Sequence, residues 1–324
     1  MKRKKIYLSL VLIFILITLI LNPSSNMEAF SRGIRVWATN VLPALFPFFL
    51  FTKLLCELNI IESFTNYLNP ITKKLYNCGG ISGYIYLMSI ISGYPVGAKL
   101  VSDFYKNGII TSGQAHRIIT FTSTSGPFFI IGTVGIGMFF NQKAGFIILI
   151  AHFVSAILNG LIYRKYKTNE KAPEKICSFN NADNKNLLQD CMLNSIQSIL
   201  IVGGYVSIFF LLINMINDLH IFNPLLTLIT KLFSEQLSNI LKAILNGLIE
   251  VTHGCLDLSE IGLSIELKTI LATALISFGG FSVHMQAYTF LKQSGISYKF
   301  FLLQKTTHTI ISVIISLLFT RILL

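Results

Sequence analysis

Ser92-Gly93-Tyr94-Pro95-Val96-Gly97 interrupts one apolar stretch of this chain, and Ser123-Thr124-Ser125-Gly126-Pro127 interrupts the next. The second half repeats the pattern, with breaks at Glu250-Val251-Thr252-His253-Gly254 and at Ser277-Phe278-Gly279-Gly280. A helix facing lipid cannot open its backbone, because each unpaired N–H or C=O in hydrocarbon costs several kcal/mol. Interrupted segments at membrane depth therefore line a cavity or pack inside protein. Two pairs of them in equivalent places point to a small-solute site between two repeats.

Composition agrees with a membrane setting. Of 324 residues, 53% are hydrophobic and 12% charged, whereas a soluble domain carries about 25% charged residues. The net charge of +12 does not indicate nucleic acid, because the basic residues lie between apolar segments rather than among stacking aromatics; there they set orientation. The five cysteines, Cys56, Cys78, Cys177, Cys191 and Cys255, have no CxxC spacing, so neither a disulfide framework nor a zinc site is expected. Lys2 to Lys5 before Ile6–Leu21 look like a signal sequence. The next residues, Asn22-Pro23-Ser24-Ser25, do not form a small-x-small cleavage site, so an uncleaved first helix is expected.

Full spans are expected near 6–21, 36–56, 116–140, 144–163, 196–216, 268–292 and 299–323. The Gly/Pro-marked stretches near 81–98 and 238–256 are either re-entrant hairpins or ordinary spans. With both as hairpins and a cytoplasmic N-terminus, 18 Lys and Arg fall inside, Lys305 among them, and 7 outside. With both as spans the split is 12 to 13. The positive-inside rule selects the hairpins. Three true spans then remain in each half after the first helix, and an odd number inverts the second half relative to the first. The expected fold is an all-α polytopic membrane protein of about seven spanning helices and two re-entrant helical hairpins, arranged as two inverted-topology repeats with broken helices. Asn69-Pro70 with Ile71-Thr72-Lys73-Leu75 in one half echoes Asn223-Pro224 with Ile229-Thr230-Lys231-Leu232 in the other. The polar stretch 164–191 reads as the cytoplasmic linker between residues 36–163 and 192–324, and residues 1–35 as an anchor helix with an external loop.

Glu250 is the acidic residue set inside an apolar segment, which makes it a functional candidate by default. It could bind a cation, carry a proton or bond a substrate; equally, it could cap a half-helix at the hairpin tip. Lys99, just past the first tip, either neutralises an anionic solute or snorkels to the surface with Lys106. Thr122, Ser123, Thr124 and Ser125 place hydroxyls in series before Gly126 and Pro127, where the helix must unwind. The half-helix resuming at Phe128 would then turn free N–H groups and a positive dipole end toward the cavity, an arrangement suited to a carboxylate or phosphate. Small hydroxyl residues also serve close helix packing. Ser92, Tyr94, Thr252, Ser277 and Gly279 complete the candidate substrate-binding set. His253 joins it for its place beside Glu250, while His152, His284 and His308 read as satisfied packing residues. No HExxH, GxSxG, Walker or Rossmann pattern occurs, so an enzyme is not expected, nor a bound metal or organic cofactor.

Three blocks carry a family resemblance: Val41-Leu42-Pro43-Ala44-Leu45-Phe46-Pro47-Phe48-Phe49, Ser92-Gly93-Tyr94-Pro95-Val96-Gly97-Ala98-Lys99, and Phe121-Thr122-Ser123-Thr124-Ser125-Gly126-Pro127-Phe128-Phe129-Ile130-Ile131-Gly132. In that order they resemble the YlbJ (SpoVV) family of sporulation integral membrane proteins. It belongs to the nucleoside-recognition Gate group, similar in architecture to concentrative nucleoside transporters. The resemblance runs over essentially the whole chain, although members often carry Asn where Thr122 to Thr124 stand here. It implies Gate-like repeats and a part in spore formation, moving dipicolinate across the outer forespore membrane. The implied partners are that small aromatic dianion and the lipid bilayer, with Na⁺ or H⁺ as the coupling ion and homo-oligomer formation left open. The rival expectations are an ion-coupled nucleoside or nucleobase carrier, for which Glu250 would be the indispensable polar group, and a non-transporting scaffold for spore assembly.

Overall fold

The computed structural model describes residues 2–57, 60–168 and 186–324; most of the expected linker, 169–185, lies outside them, with Cys177. Among the described residues every regular element is a helix. α1 (Lys2–Leu21) and α2 (Pro23–Val36) meet at a sharp bend of 105°. A short π-helical stretch, Trp37–Val41, leads into α3 (Leu42–Glu57), and α4 (Ile60–Tyr76) comes after it. Next come α5 (Ile81–Ser92), α6 (Val96–Lys106) and α7 (Ser112–Thr122), then a π-helix over Phe128–Met138 and α8 (Gln142–Ile162). The second half runs α9 (Leu187–Asp218), α10 (Asn223–Leu232), α11 (Glu235–Ile249), α12 (Val251–Glu260), α13 (Ile265–Phe278), α14 (Gly280–Leu291) and α15 (Tyr298–Leu323).

Side-chain exposure explains why this chain requires a membrane. α1 leaves Ile6, Leu10, Val11, Leu12, Ile13 and Phe14 uncovered, and α15 leaves Leu303, Ile310, Ile314 and Leu318 uncovered. Apolar surface of that extent is not tolerated in water. The long helices α8, α9 and α15, and the Ile265–Ser294 stretch containing α13 and α14, are long and apolar enough to cross a bilayer; the bent α1–α2 pair also qualifies if taken as one span. At 1.5 Å per residue, α5 and α6 reach only about 16–18 Å, short of a hydrocarbon core of about 30 Å. They fold back on each other as a helical hairpin, as do α11 and α12.

Two stretches differ from expectation. Residues 22–35, expected as an external loop, are mostly helix α2: Pro23 occupies the first turn, where its missing N–H costs nothing, and Asn26, Ala29 and Gly33 form a small-residue face buried against α9. The end of the expected linker, 187–191, is already the first turns of α9, with Cys191 buried. In contrast, the stretch 116–140 is broken where its Ser/Gly/Pro run predicts, into α7 and the Phe128–Met138 π-helix.

The outer faces of α8 and α15 are apolar, and their inner faces set polar residues among apolar ones. α8 buries His152, Ser155 and Asn159; α15 buries Gln304, Lys305, His308 and Ser312. These stripes meet at the centre. The His152 and His308 rings lie 4.9 Å apart, Asn159 Nδ2 donates to the Thr120 carbonyl at 2.8 Å, and Thr307 Oγ1 donates to Asn159 Oδ1 at 2.7 Å. Without water in the bilayer core, such side-chain bonds join helices where apolar contact with lipid would do as well as contact with protein.

Candidate substrate site

The four chain breaks meet in the middle of the protein. α5 ends at Ser92, and Gly93 takes φ +74°, ψ −163°, a region open essentially to glycine alone. A Cβ there would also stand 2.5 Å from the Gly126 amide nitrogen, so the first hairpin tip rests directly on the first broken helix. The second half is built alike. Gly279 and Gly280 both have positive φ, and a Cβ on Gly280 would lie 2.8 Å from the Gly247 carbonyl oxygen and 3.2 Å from the Val251 nitrogen. The second broken helix therefore sits on the second hairpin tip.

At that second tip Glu250 is a single extended residue between α11 and α12, and it is buried. Its Oε2 accepts from the His253 backbone N–H at 2.8 Å, and its Oε1 accepts from Thr252 Oγ1 at 3.1 Å. A carboxylate in this position satisfies orphan donors of α12 and complements the helix dipole. The same residue also faces the cavity. The cap and a place on the cavity wall thus fall to one side chain.

That cavity, of about 100 Å³, lies between both tips, the first break and α14. Ser92, Tyr94, Ser125, Gly126, Glu250 and Thr252 of the expected set line it, with Gly93 and Gln286. Phe128 and Phe129 of the π-helix, Val202 and Val206 of α9, and Val41 and Leu45 give it apolar walls. It thus combines flat apolar sides with a few convergent polar groups, the usual make-up of a small-molecule site. Its volume is below the roughly 300–1,000 Å³ of sites that hold drug-sized ligands, so the conformation is a narrow one.

The remaining expected residues stand behind the walls or elsewhere. Thr122 Oγ1 donates within its own helix to the Ile118 carbonyl, and Thr124 Oγ1 donates to the Ser89 carbonyl. Ser123 offers its carbonyl to Lys305. The His253 ring lies 3.3 Å from Asp257 Oδ1 and packs beside Phe210. Lys99 Nζ donates to Ser198 Oγ at 2.6 Å and lines a separate cavity of about 230 Å³ with Lys53, Asp103, Lys106, Asn107 and Asn194. Ser277 and Gly279 belong to the second break, where a Cβ on Gly279 would come 3.7 Å from the Tyr94 ring.

Two residues that composition and spacing did not single out hold the breaks together. His152 Nε2 accepts the Ser125 backbone N–H at 2.9 Å. The ring proton is therefore on Nδ1, which donates to Ser277 Oγ at 2.9 Å. One neutral imidazole thus bridges the first break to the second. Lys305, counted from sequence among cytoplasmic loop charges, is instead fully buried on α15. Its Nζ donates to Tyr94 Oη at 2.7 Å and to the Ser123 carbonyl at 3.1 Å, and Tyr94 Oη in turn donates to the Ile276 carbonyl at 3.1 Å. Helical phase held the signal: Phe301, Lys305, His308 and Ser312 recur at four and three residues, on the face opposite Leu303, Ile310 and Ile314.

No protein-family model matches the chain. It is 28% identical over 315 residues to the sporulation integral membrane protein YlbJ of Bacillus subtilis (strain 168), a similarity covering 90% of this chain and 77% of that protein. The resemblance expected from the sequence blocks holds in this similarity. Among solved structures, a variant of the concentrative nucleoside transporter CNTnw in an intermediate state superposes with a TM-score of 0.53 over 99% of this chain and 86% of that one, at 15% identity. That likeness is one of fold. The chain is a multi-pass integral membrane protein with the fold of a transporter.

Proposed function

We propose that this chain is a membrane transporter of sporulating cells that carries dipicolinate across the outer forespore membrane. The observation that carries the reading is the cavity where two hairpin tips and two broken helices converge. A packed membrane scaffold has no need to open its backbone at four facing places, because each opening forfeits helix hydrogen bonds in a setting without water. The two halves, 36–163 and 192–324, then act as inverted repeats, with the N-terminus cytoplasmic, and the hairpins re-enter from opposite sides. The narrow cavity is a closed state that widens when a tip withdraws.

Three features suit a flat aromatic dianion. Phe128 and Phe129 offer an aromatic wall. The π-helix starting at Phe128 has no side-chain cap, so its N-terminal dipole remains available to a carboxylate. Lys53, Lys99 and Lys106 line the second cavity with one carboxylate, Asp103, and the surplus of positive charge concentrates anions near the first hairpin. Glu250 repels a dianion less than a bare carboxylate would, since both its oxygens are already bonded.

The second reading is a nucleoside carrier. Glu250 and Gln286 on the cavity wall favour it, because a neutral polyhydroxylated ligand bonds both without charge repulsion. Uptake of labelled dipicolinate and of labelled nucleosides into proteoliposomes containing the purified protein separates the two. Saturable dipicolinate uptake is expected. Nucleoside uptake alone overturns the cargo, and uptake of neither overturns transport.

A further inference from the structure

We infer that the second cavity, walled by Lys53, Lys99, Asp103 and Lys106, binds a dianion and is the entrance to the substrate cavity, with Lys99 as its floor. The inference rests on the transport reading above and deepens it. Two helices connect the cavities. On α9, Val206 and Val202 wall the substrate cavity, Ser198 comes next, and Asn194 lines the second cavity. On α3, Leu45 walls the substrate cavity, Phe49 comes next, and Lys53 lines the second. Residues four apart share a helix face and stand about 6 Å apart along the axis, so each stripe runs from one cavity to the other. The middle residues, Ser198 and Phe49, are buried, and both meet Lys99. Its Nζ donates to Ser198 Oγ at 2.6 Å and lies 5.7 Å from the centre of the Phe49 ring. The first hairpin supplies the third side: Tyr94 at its tip lines the substrate cavity, while Asp103 and Lys106 on α6 line the second. Lys99 thus stands at the level that separates the two.

The second cavity is the roomier, about 230 Å³ against about 100 Å³, and its Lys106, Asn107 and Asn194 are exposed. It is the mouth, and the substrate cavity is the buried end. Three ammonium groups and one carboxylate leave two positive charges among its lining residues. Like charges gathered in a cleft repel one another and draw in counter-ions, and a dianion cancels this surplus. A neutral solute gains nothing from it. The amides of Asn107 and Asn194 add uncharged donors for carboxylate oxygens. A bound dianion also offers Lys99 a full opposite charge where Ser198 offers only a hydroxyl dipole, and the stronger attraction turns the ammonium outward. The level between Phe49 and Ser198 then opens with no covalent bond or proton exchanged.

The test is equilibrium dialysis of labelled dipicolinate against the detergent-purified full chain at low ionic strength. Lys53, Asp103 and Lys106 lie outside the substrate cavity, so their variants report on the second. Wild type is expected to bind. Lys53→Gln and Lys106→Gln are expected to weaken binding by up to about fivefold each, and Asp103→Asn to tighten it by a similar factor. In about 1 M salt, where the screening length falls to about 3 Å, the four proteins should converge. Asp103→Asn keeps the test decisive if a lysine variant fails to fold, because a damaged cavity does not bind more tightly. No binding by wild type, equal affinities at low salt, or weakening by Asp103→Asn overturns the inference. So does displacement of dipicolinate by a short-chain phosphatidylglycerol, which would give the cavity to a lipid headgroup. Uptake into proteoliposomes separates the entrance from the transport reading. KM should follow the order of the dialysis affinities while the maximal rate holds, and KM values that ignore that order overturn the entrance alone. If the affinities shift as expected and wild type moves no solute, the transport reading fails and takes the entrance with it, while the dianion site stands.

Discussion

The two hairpin tips solve the same problem in opposite ways. Each must end one helix and start another at membrane depth, where stray polar groups find no water. The second tip is self-contained: Glu250 ends α11, starts α12, and bonds His253 N–H and Thr252 from within the same turn. The first tip has no side-chain cap on α6. It turns through Gly93 and depends on residues far along the chain, with Tyr94 bonded to Ile276 and Lys305. A tip that carries its own cap keeps its structure wherever it goes. A tip held by others is stable only where they are, and its departure can be made conditional. This difference leaves the first tip dependent on residues of the second half and the second tip supported from within its own turn.

The contrast breaks most severely at the contact between the first tip and the first broken helix. Gly93→Ala meets two penalties, a backbone region closed to side chains and a Cβ 2.5 Å from the Gly126 nitrogen. Together they should cost about 3 kcal/mol or more. Gly126→Ala, on the other side of the same contact, meets only ordinary neighbours at 3.4–3.6 Å and should cost less than about 1 kcal/mol. Thermal melting of both variants in detergent measures the asymmetry. Equal losses would mean that the first tip is not seated as described.

A smaller effect is expected where the two halves are joined. His152→Leu removes the acceptor of the Ser125 N–H and the partner of Ser277 Oγ. Leaving a buried donor unsatisfied costs about 1–3 kcal/mol. Ser277→Ala deletes one end of the bridge and should cost about 1 kcal/mol. If His152→Leu melts like wild type, this bridge adds nothing to the other bonds between the halves, and the dependence of the first break on distant residues is weaker than argued.

The positions of the breaks were legible because they depend on local chemistry. Gly93, Pro127 and Gly279 each disturb a helix whatever surrounds them, and α5 and α6 are too short to span. The groups that hold the breaks in register were not legible, because their meaning is set by which way a helix faces. His152 looked like any histidine on an apolar helix until α8 was turned so that it, Ser155 and Asn159 faced inward. Lys305 sits only eight residues into α15, so a charge count assigns it to the loop. Burial then shows it pointing into the protein. Lys99, read from sequence either as meeting an anionic solute or as snorkelling to the surface, stands outside the substrate cavity: α6 carries it to Ser198 and the second cavity.

The finest test separates cap from charge at the second tip. Glu250→Ala removes the acceptor of His253 N–H, and loss of an N-cap costs about 0.5–2 kcal/mol. Glu250→Gln keeps an oxygen for that N–H and an amide that can bond Thr252. Its melting should therefore stay within about 0.5 kcal/mol of wild type. Any change in its transport must then come from the missing charge facing the cavity rather than from a disturbed α12. Reduced uptake at unchanged stability is the expected result, because an ionisable group at membrane depth whose only task were capping could be an amide at lower desolvation cost. Unchanged uptake would confine Glu250 to its cap, and the polar recognition of the solute would then rest on the opposite wall, with Ser92, Tyr94 and Ser125.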